Sequence, residues 1–180
     1  MAVLMNTYKI LFFLLLTQTT MTIIKFSSET NIKNWHVIND GVMGGLSQSK
    51  FYLNEDGKGV FKGEVSLENN GGFSTVKYKL KPLNVIDYSR VRIKLKGDGK
   101  RYQFRIKEKE TDRHSYVSYF ETSGEWEVIE FELDKLYPTL RGRKLVIPNF
   151  ESEVIGEIGF LIGNKKNEKF ELKIDTIDLI

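Results

Sequence analysis

Beyond residue 20, apolar and polar side chains alternate along the chain with a period of two. Residues 90–96 alternate without a fault, with Val91, Ile93 and Leu95 separating four cations, and residues 101–107 repeat the pattern. This alternation is typical of β-strands that bury one face and expose the other. No stretch of a dozen residues shows the 3.6-residue apolar period of an amphipathic helix. The sequence therefore predicts an all-β fold.

Turn signals rich in glycine and asparagine separate about ten short predicted strands, a number and spacing typical of a β-sandwich or a barrel. The spacing alone does not distinguish these two architectures. One short helical turn is predicted at 134–137. Besides 90–96 and 101–107, the predicted strands are 22–26, 35–39, 47–53, 59–67, 73–80, 115–121, 126–131, 155–162 and 170–174, with a last short one near residue 177.

The connection Gly97–Lys100 contains an Asp-Gly step, which supplies the positive φ angles of a tight turn. It predicts a hairpin that joins strands 90–96 and 101–107. The outward cations of both strands would then form a basic ladder, interleaved with carboxylates of residues 125–132. A solvated mixed-charge face is the favoured interpretation, and docking to an acidic partner or to an anionic membrane surface is the functional alternative.

The first twenty residues differ from the rest. Lys9 is their only charge, and it precedes the apolar run Ile10–Leu16. A short positive segment followed by about seven apolar residues resembles a secretory signal peptide, and the run is too short to span a bilayer. We expect a signal-like segment at 1–20 and one domain at 22–180. Export to the periplasm or beyond is favoured, and a cytoplasmic product that begins at Met21 is the alternative.

Composition excludes several kinds of chemistry. The chain has no cysteine, which rules out disulfides, thiolate metal sites and cysteine nucleophiles. Its net charge of +3 is too small to indicate a nucleic-acid partner. His36 and His114 lack metal-ligand spacing, and no nucleophile elbow, phosphate loop or dinucleotide fingerprint occurs. The sequence therefore predicts no enzyme activity and no cofactor, and it nominates no metal site. A hydrolase that uses a pair of carboxylates on the sheet face is a third alternative, although no pattern nominates such a pair.

Two glycine-rich segments are candidates for function. In the first, residues 35–49, three glycines bracket the pair Val42-Met43 after a strand that ends at Asn39-Asp40. Residue chemistry alone favours a structural corner in which Met43 fills the end of the core. In the second, residues 67–74, two amides lie beside Phe73 and suit a polar ligand. A four-residue hairpin turn is the favoured alternative there.

Both segments resemble motifs of the complex I intermediate-associated protein family. The family's opening motif matches Trp35–Ser49 as W-x-x-x-N-D-x-V-M-G-G-x-S-x-S. The resemblance covers roughly residues 22–180 and implies a galactose-binding-like jelly roll without catalytic activity. Mitochondrial members act as assembly factors for the respiratory NADH:ubiquinone oxidoreductase, although the N-terminus here does not resemble a mitochondrial transit peptide. The further matching motifs are 69–74, 97–102, 124–126 and 155–160.

We expect the loop 39–45 and the turn 69–74 to lie side by side and to form one recognition edge for a protein partner, such as a respiratory-complex subunit. An exported carbohydrate-binding module is the alternative, with an aromatic platform drawn from Phe73, Tyr102, Tyr119 or Trp126. The predicted contact residues are Asn39, Asp40, Met43, Gly44, Gly45, Asn69, Asn70 and Phe73.

Overall fold

A computed structural model describes residues 19–180, which form two antiparallel sheets packed face to face. The predicted all-β jelly-roll sandwich is confirmed. The strands are β1 Met21–Lys25, β2 Trp35–Asn39, β3 Gln48–Leu53, β4 Gly59–Val65, β5 Ser74–Asn84, β6 Arg90–Lys96, β7 Arg101–Lys107, β8 Ser115–Glu121, β9 Trp126–Glu132, β10 Tyr137–Leu140, β11 Arg143–Lys144, β12 Val154–Ile162 and β13 Glu168–Leu179.

Within residues 19–180 the two sheets contain six and seven strands. The six-stranded sheet has the order β3-β4-β13-β6-β9, and β1 pairs with the C-terminal half of β13. The seven-stranded sheet has the order β11-β10-β8-β7-β12-β5-β2. The predicted strands 170–174 and near 177 are one strand, β13, which runs for 12 residues through the middle of its sheet.

The inward side chains of both sheets form one apolar core. Phe104 of β7 stacks on Phe131 of β9, with ring centroids 4.7 Å apart, and so links the two layers. Tyr102 of β7 makes an edge contact across the layers with Phe170 of β13. Each fully buried side chain of this size contributes roughly 1.5–3 kcal/mol to folding. The period-two pattern of the sequence is thus the physical cause of the sandwich.

Five connections cross from one sheet to the other at the same end of the sandwich. This follows from the pairing, because β2, β8 and β12 of the seven-stranded sheet end there, whereas β5 and β7 begin there. The crossings join β2 to β3, β4 to β5, β6 to β7, β8 to β9 and β12 to β13. Both glycine-rich candidate segments are among them.

The predicted hairpin at Gly97–Lys100 is wrong, because β6 and β7 belong to different sheets. The connection turns across the layers and is held there by Asp98. The Asp98 carboxylate accepts hydrogen bonds from the Glu171 backbone N–H at 2.9 Å and from the Tyr102 hydroxyl at 2.8 Å. The turn at 69–72 is likewise a crossing between sheets and not a hairpin.

The basic ladder predicted across β6 and β7 does not form, because these strands do not pair. Carboxylates on β9 and in the turn before it do pair with cations of β6, as expected. Arg92 Nε lies 2.9 Å from Glu130 Oε1, and Lys96 Nζ lies 3.3 Å from Glu125 Oε2. Most of the positive charge on this face is therefore neutralised within the sheet.

The N-terminal signal-like segment predicted at 1–20 falls almost entirely outside the described residues. In the part of the chain that the structure describes, no helix is long and apolar enough to cross a membrane. The described helices are short 3₁₀ turns, and one of them, Leu133–Lys135, overlaps the helical turn predicted at 134–137. The other two, Asp40–Met43 and Glu68–Asn70, lie in the candidate segments.

Candidate functional site

The crossings β2–β3 (residues 40–47) and β4–β5 (residues 66–73) meet at one rim of the sandwich, which we call the glycine rim. Asp40 joins them, with only 1% of its surface exposed. Its carboxylate accepts hydrogen bonds from the Ser47 hydroxyl at 2.5 Å, the Ser47 N–H at 3.1 Å, the Gly72 N–H at 2.6 Å and the Phe73 N–H at 3.3 Å. One carboxylate therefore holds two segments that are 32 residues apart in the chain.

Two glycines leave room for this carboxylate. A Cβ atom added to Gly45 would lie 2.3 Å from Asp40 Oδ1, and one added to Gly71 would lie 2.6 Å from Asp40 Oδ2. Both distances are far below van der Waals contact, so a side chain at either position would displace the carboxylate. The glycines of the motif are explained here by close approach to Asp40.

Asn39 makes a second polar link beneath the rim. Its side-chain oxygen accepts hydrogen bonds from the hydroxyls of Ser49 at 2.8 Å and Ser74 at 2.7 Å, and these two hydroxyls lie 2.5 Å apart. Ser49 belongs to one sheet and Ser74 to the other. Asn39 thus ties the two sheets together where the chain crosses between them.

The outer part of the rim is held by Asn69. Its side-chain N–H donates to the Gly44 carbonyl at 3.1 Å, which joins the two crossings a second time. Asn69 and Asn70 both have positive φ angles, 54° and 60°, and Gly72 has a φ of 134°. Asparagine and glycine tolerate this left-handed backbone better than other residues.

The predicted contact residues therefore divide into two groups. Asp40 is buried and Asn39 is half-buried, and both support the rim from within. Gly44, Asn69 and Asn70 are exposed at its surface, and Gly45 and Phe73 are half-buried. Met43 lies in the 3₁₀ turn Asp40–Met43.

Hydrogen bonding sets the ionisation of Asp40. Burial by itself would raise the pKa of this carboxyl, but the four donors from Ser47, Gly72 and Phe73 outweigh it and hold the pKa below its ordinary value. The carboxylate is therefore charged at neutral pH. It acts as a fixed hydrogen-bond acceptor for the two loops and carries no proton at neutral pH.

Two exposed leucines of the rim were not predicted as contacts. Leu46 is 51% exposed and Leu67 is 42% exposed, and they flank the polar surface of Asn69 and Asn70. Leu46 also lines an open groove of about 1120 Å³ that runs onto β3, β4 and β13. Leu46 directly follows Gly44-Gly45, and Leu67 opens the second candidate segment, so their place in the two segments was the only signal in the sequence.

A second surface, the outer face of the seven-stranded sheet, combines aromatic and polar groups. Tyr119 is 45% exposed, with the Arg101 guanidinium 4.7 Å from its ring centroid. Next to it, Arg105 donates to the Gln103 side-chain oxygen at 2.6 Å, and burial lowers the pKa of the Arg105 guanidinium. Tyr102, which the sequence offered as a platform, is 1% exposed and packs inside the core.

In the described part of the chain, potential metal ligands do not cluster. Among residues 19–180, no group of three or more histidine, aspartate or glutamate side chains is arranged to hold a metal ion. The buried Asp175 carboxylate is instead paired with Lys58 and Lys94, at 2.5 and 2.8 Å.

Solved structures with the same fold include carbohydrate-binding modules. A family 11 module of a cellulosomal cellulase from Clostridium thermocellum has 18% sequence identity and a TM-score of 0.68, with 90% of this chain and 94% of that chain covered. The same module with a β-1,3-1,4-mixed-linked tetrasaccharide gives a TM-score of 0.65 at 18% identity, over 87% and 94%. A family 29 module gives 0.53 at 13% identity, over 90% and 91%. At these identities the similarity shows the fold alone.

Sequence comparison identifies the family. No curated protein matches the chain. The family model of Complex I intermediate-associated protein 30 matches residues 24–174, which include every strand from β2 to β12 and both crossings of the glycine rim. The chain therefore belongs to the Complex I intermediate-associated protein 30 family.

Proposed function

We propose that this domain works by binding and holds a protein partner during the assembly of a larger complex, with the glycine rim as its contact surface. The observation that carries the proposal is the buried Asp40 carboxylate, whose four hydrogen bonds fix two exposed loops to each other. The same four hydrogen bonds also stabilise the fold. A contact surface benefits from them as well, because loops that are already ordered lose less entropy when a partner binds.

The surface that results is suited to a protein. Leu46 and Leu67 supply exposed apolar area, and Asn69 and Asn70 supply amide donors and acceptors between them. Specific protein interfaces combine exposed apolar side chains with hydrogen-bonding polar groups. The family name points to respiratory complex I as the source of the partner, in agreement with the resemblance seen in the opening motif.

Co-purification with complex I subunits tests the proposal. The tagged full chain is expressed in its own cells, and the complex I subunits that it retains are quantified by mass spectrometry. The contact variant combines Leu46→Asp with Asn70→Gly, because Gly keeps the positive φ of 60° at that position. We expect at least a tenfold loss of retained subunits with little change in melting temperature.

The control for this experiment is Ile86→Asp. Ile86 is 60% exposed and lies in the β5–β6 connection, at the opposite end of the sandwich. Like Leu46→Asp, the Ile86→Asp substitution replaces an exposed aliphatic side chain by a carboxylate. Equal retention by wild type and both variants would show that the rim is not the contact surface.

Carbohydrate binding is the second candidate function, and the outer face of the seven-stranded sheet favours it. Tyr119 offers an exposed ring, and the neighbouring Arg101 and the half-buried Arg105 offer hydrogen-bond donors, with Arg105 held by the buried Gln103. Rings beside such groups suit hydroxyl-rich ligands. Titration calorimetry with a β-1,3-1,4-mixed-linked tetrasaccharide tests it, and Tyr119→Ala should remove the heat. No heat with the wild-type chain would set this candidate aside for that sugar.

A further inference from the structure

The free edge of the seven-stranded sheet carries a segment that the glycine rim does not explain. After β10, residues 141–149 turn back along the edge as β11 and then leave it; we call them the edge loop. In this loop three cations precede three apolar residues in the order Arg141-Gly142-Arg143-Lys144-Leu145-Val146-Ile147. Eight of its nine residues are exposed, and Leu145 is half-buried.

The edge loop is anchored at both ends, so its tip is held away from the domain. The Leu145 N–H donates to the Pro138 carbonyl at 3.0 Å, and the Phe150 N–H donates to the Leu136 carbonyl at 3.0 Å. Phe150 is 3% exposed and packs into the core. Between these two anchors residues 146–149 span only the two-residue step from Leu136 to Pro138, so the chain bulges there. The Asn149 side chain is tied back by a hydrogen bond to the Asp134 carbonyl at 2.9 Å, which leaves 146–148 as the tip.

The tip of the bulge is apolar. Val146 is fully exposed, and Ile147 is 47% exposed. Exposed aliphatic side chains are common singly on protein surfaces, but two in succession at a projecting tip are typical of a contact site. Neither side chain belongs to the buried core or packs against it, so their burial does not stabilise the fold.

The cations at the base of the loop are not neutralised. None of the ion pairs among residues 19–180 includes Arg141, Arg143 or Lys144. Lys144 lies over the Tyr137 ring, 5.2 Å from its centroid. On β6, in contrast, all four cations reach a carboxylate. The edge loop therefore presents a positive potential to its surroundings.

We propose that the edge loop docks on an anionic lipid bilayer. Val146 and Ile147 enter the boundary between headgroups and acyl chains, and the three cations contact lipid phosphates beside them. Such a division, an apolar tip with basic residues at its base, matches the layered chemistry of a membrane surface. An acidic protein surface would pair with the cations but would leave the projecting aliphatic tip without a partner. This docking goes beyond the proposed protein contact and uses a different part of the domain.

A fluorophore placed in the loop tests the proposal directly. The chain has no cysteine, so Val146→Cys gives one labelling site for an environment-sensitive dye. The labelled full chain is mixed with vesicles of phosphatidylcholine alone, or with vesicles in which roughly 30% of the lipid is the anionic phosphatidylglycerol. We expect a blue shift and increased emission with the anionic vesicles, reversed in high salt.

The matched control is Ile38→Cys with the same dye. Ile38 is 40% exposed on β2, the opposite edge of the same sheet. It should show no blue shift under any condition. Because the dye reports only its own surroundings, the apolar run Ile10–Leu16 cannot produce the signal at position 146. No shift at 146, or equal shifts at 146 and 38, would overturn the proposal.

Charge removal provides a second measurement. Arg141, Arg143 and Lys144 are replaced together by Gln. The concentration of anionic vesicles that gives half the maximal dye response should rise about a hundredfold, since each cation near such a surface contributes roughly fivefold to the affinity. Replacing the exposed Lys33, Lys81 and Lys109 by Gln removes the same charge elsewhere. An equal loss in both triple variants would indicate attraction by net charge alone and would contradict docking through the loop.

Discussion

Asp40 shows how one buried residue can hold two exposed loops together without lying on the surface that they form. The sequence places Asp40 in a motif and predicts it as a contact residue, but a motif does not reveal which groups its carboxylate holds. Its partners are the Ser47 side chain and the amides of residues 47, 72 and 73, and the backbone donors leave no trace in residue type. Ser47 could have been suspected, because it closes the same motif. The pairing with Gly72 could not, since nothing in composition or spacing indicates it.

Replacing Asp40 by Ala should lower the free energy of unfolding by about 3 kcal/mol, because buried amide donors lose their acceptor. For a domain of this size we expect a fall in melting temperature of roughly 6–12 °C by calorimetry. Asp56→Ala, at an exposed turn between β3 and β4, is the control and should change it by less than about 2 °C. A melting temperature unaffected by Asp40→Ala would show that the rim is not held by this carboxylate.

The same carboxylate should contribute to acid sensitivity. Because the folded-state pKa of Asp40 is lowered from 3.8, its stabilisation is present above about pH 3.8 and is lost as the pH falls through the folded value. Asp40→Asn cannot titrate. The difference in unfolding free energy between wild type and Asp40→Asn should therefore shrink below pH 3.8, as measured by urea unfolding at a series of pH values. A constant difference from pH 6 to pH 2.5 would contradict the assignment.

At the scale of elements, the strands were largely predictable and their partners were not. Strands β2, β6, β7 and β8 have the predicted bounds. In β6 and β7 a fault-free period of two marks the strand from its first residue to its last. The hairpin between β6 and β7 was wrong for a physical reason. An Asp-Gly step fixes the local backbone angles, but both a hairpin and a crossing between sheets need them. The crossing is favoured by the hydrogen bond that the Glu171 N–H of β13 donates to the Asp98 carboxylate. This donor is 73 residues away in the chain, so the local sequence does not indicate it.

Asp98 should therefore stabilise the crossing and not merely the turn. Replacing it by Ala removes the acceptor of the Glu171 N–H and of the Tyr102 hydroxyl. We expect a loss of about 2 kcal/mol in unfolding free energy and faster hydrogen exchange at the Glu171 amide. Exchange at Gly57, in the distant β3–β4 turn, should not change beyond the global loss of stability. Unaltered exchange at Glu171 would show that the crossing does not depend on Asp98.

At the scale of the whole molecule, the fold and the family could be predicted from the sequence. The function could not, because it depends on which surface groups the fold brings together. The alternating pattern and the motif order were sufficient to predict a jelly roll of this family, and both are confirmed. The carbohydrate-binding modules that share the fold differ from this chain at more than four of every five aligned positions, so they say nothing about its ligand. What separates the two candidate functions is where they place the ligand: at the end of the sandwich for a protein partner, and on a sheet face for a sugar.

Photocrosslinking from the glycine rim separates them most directly. A photoreactive amino acid is introduced at Asn70, which is exposed on the rim, or at Tyr119, which is exposed on the outer face of the seven-stranded sheet. The full chain is irradiated in its own cells, and crosslinked proteins are identified by mass spectrometry. Position 70 should yield one predominant complex I subunit, and position 119 should yield none. Crosslinks to that subunit from position 119 but not from position 70 would contradict the role assigned to the rim.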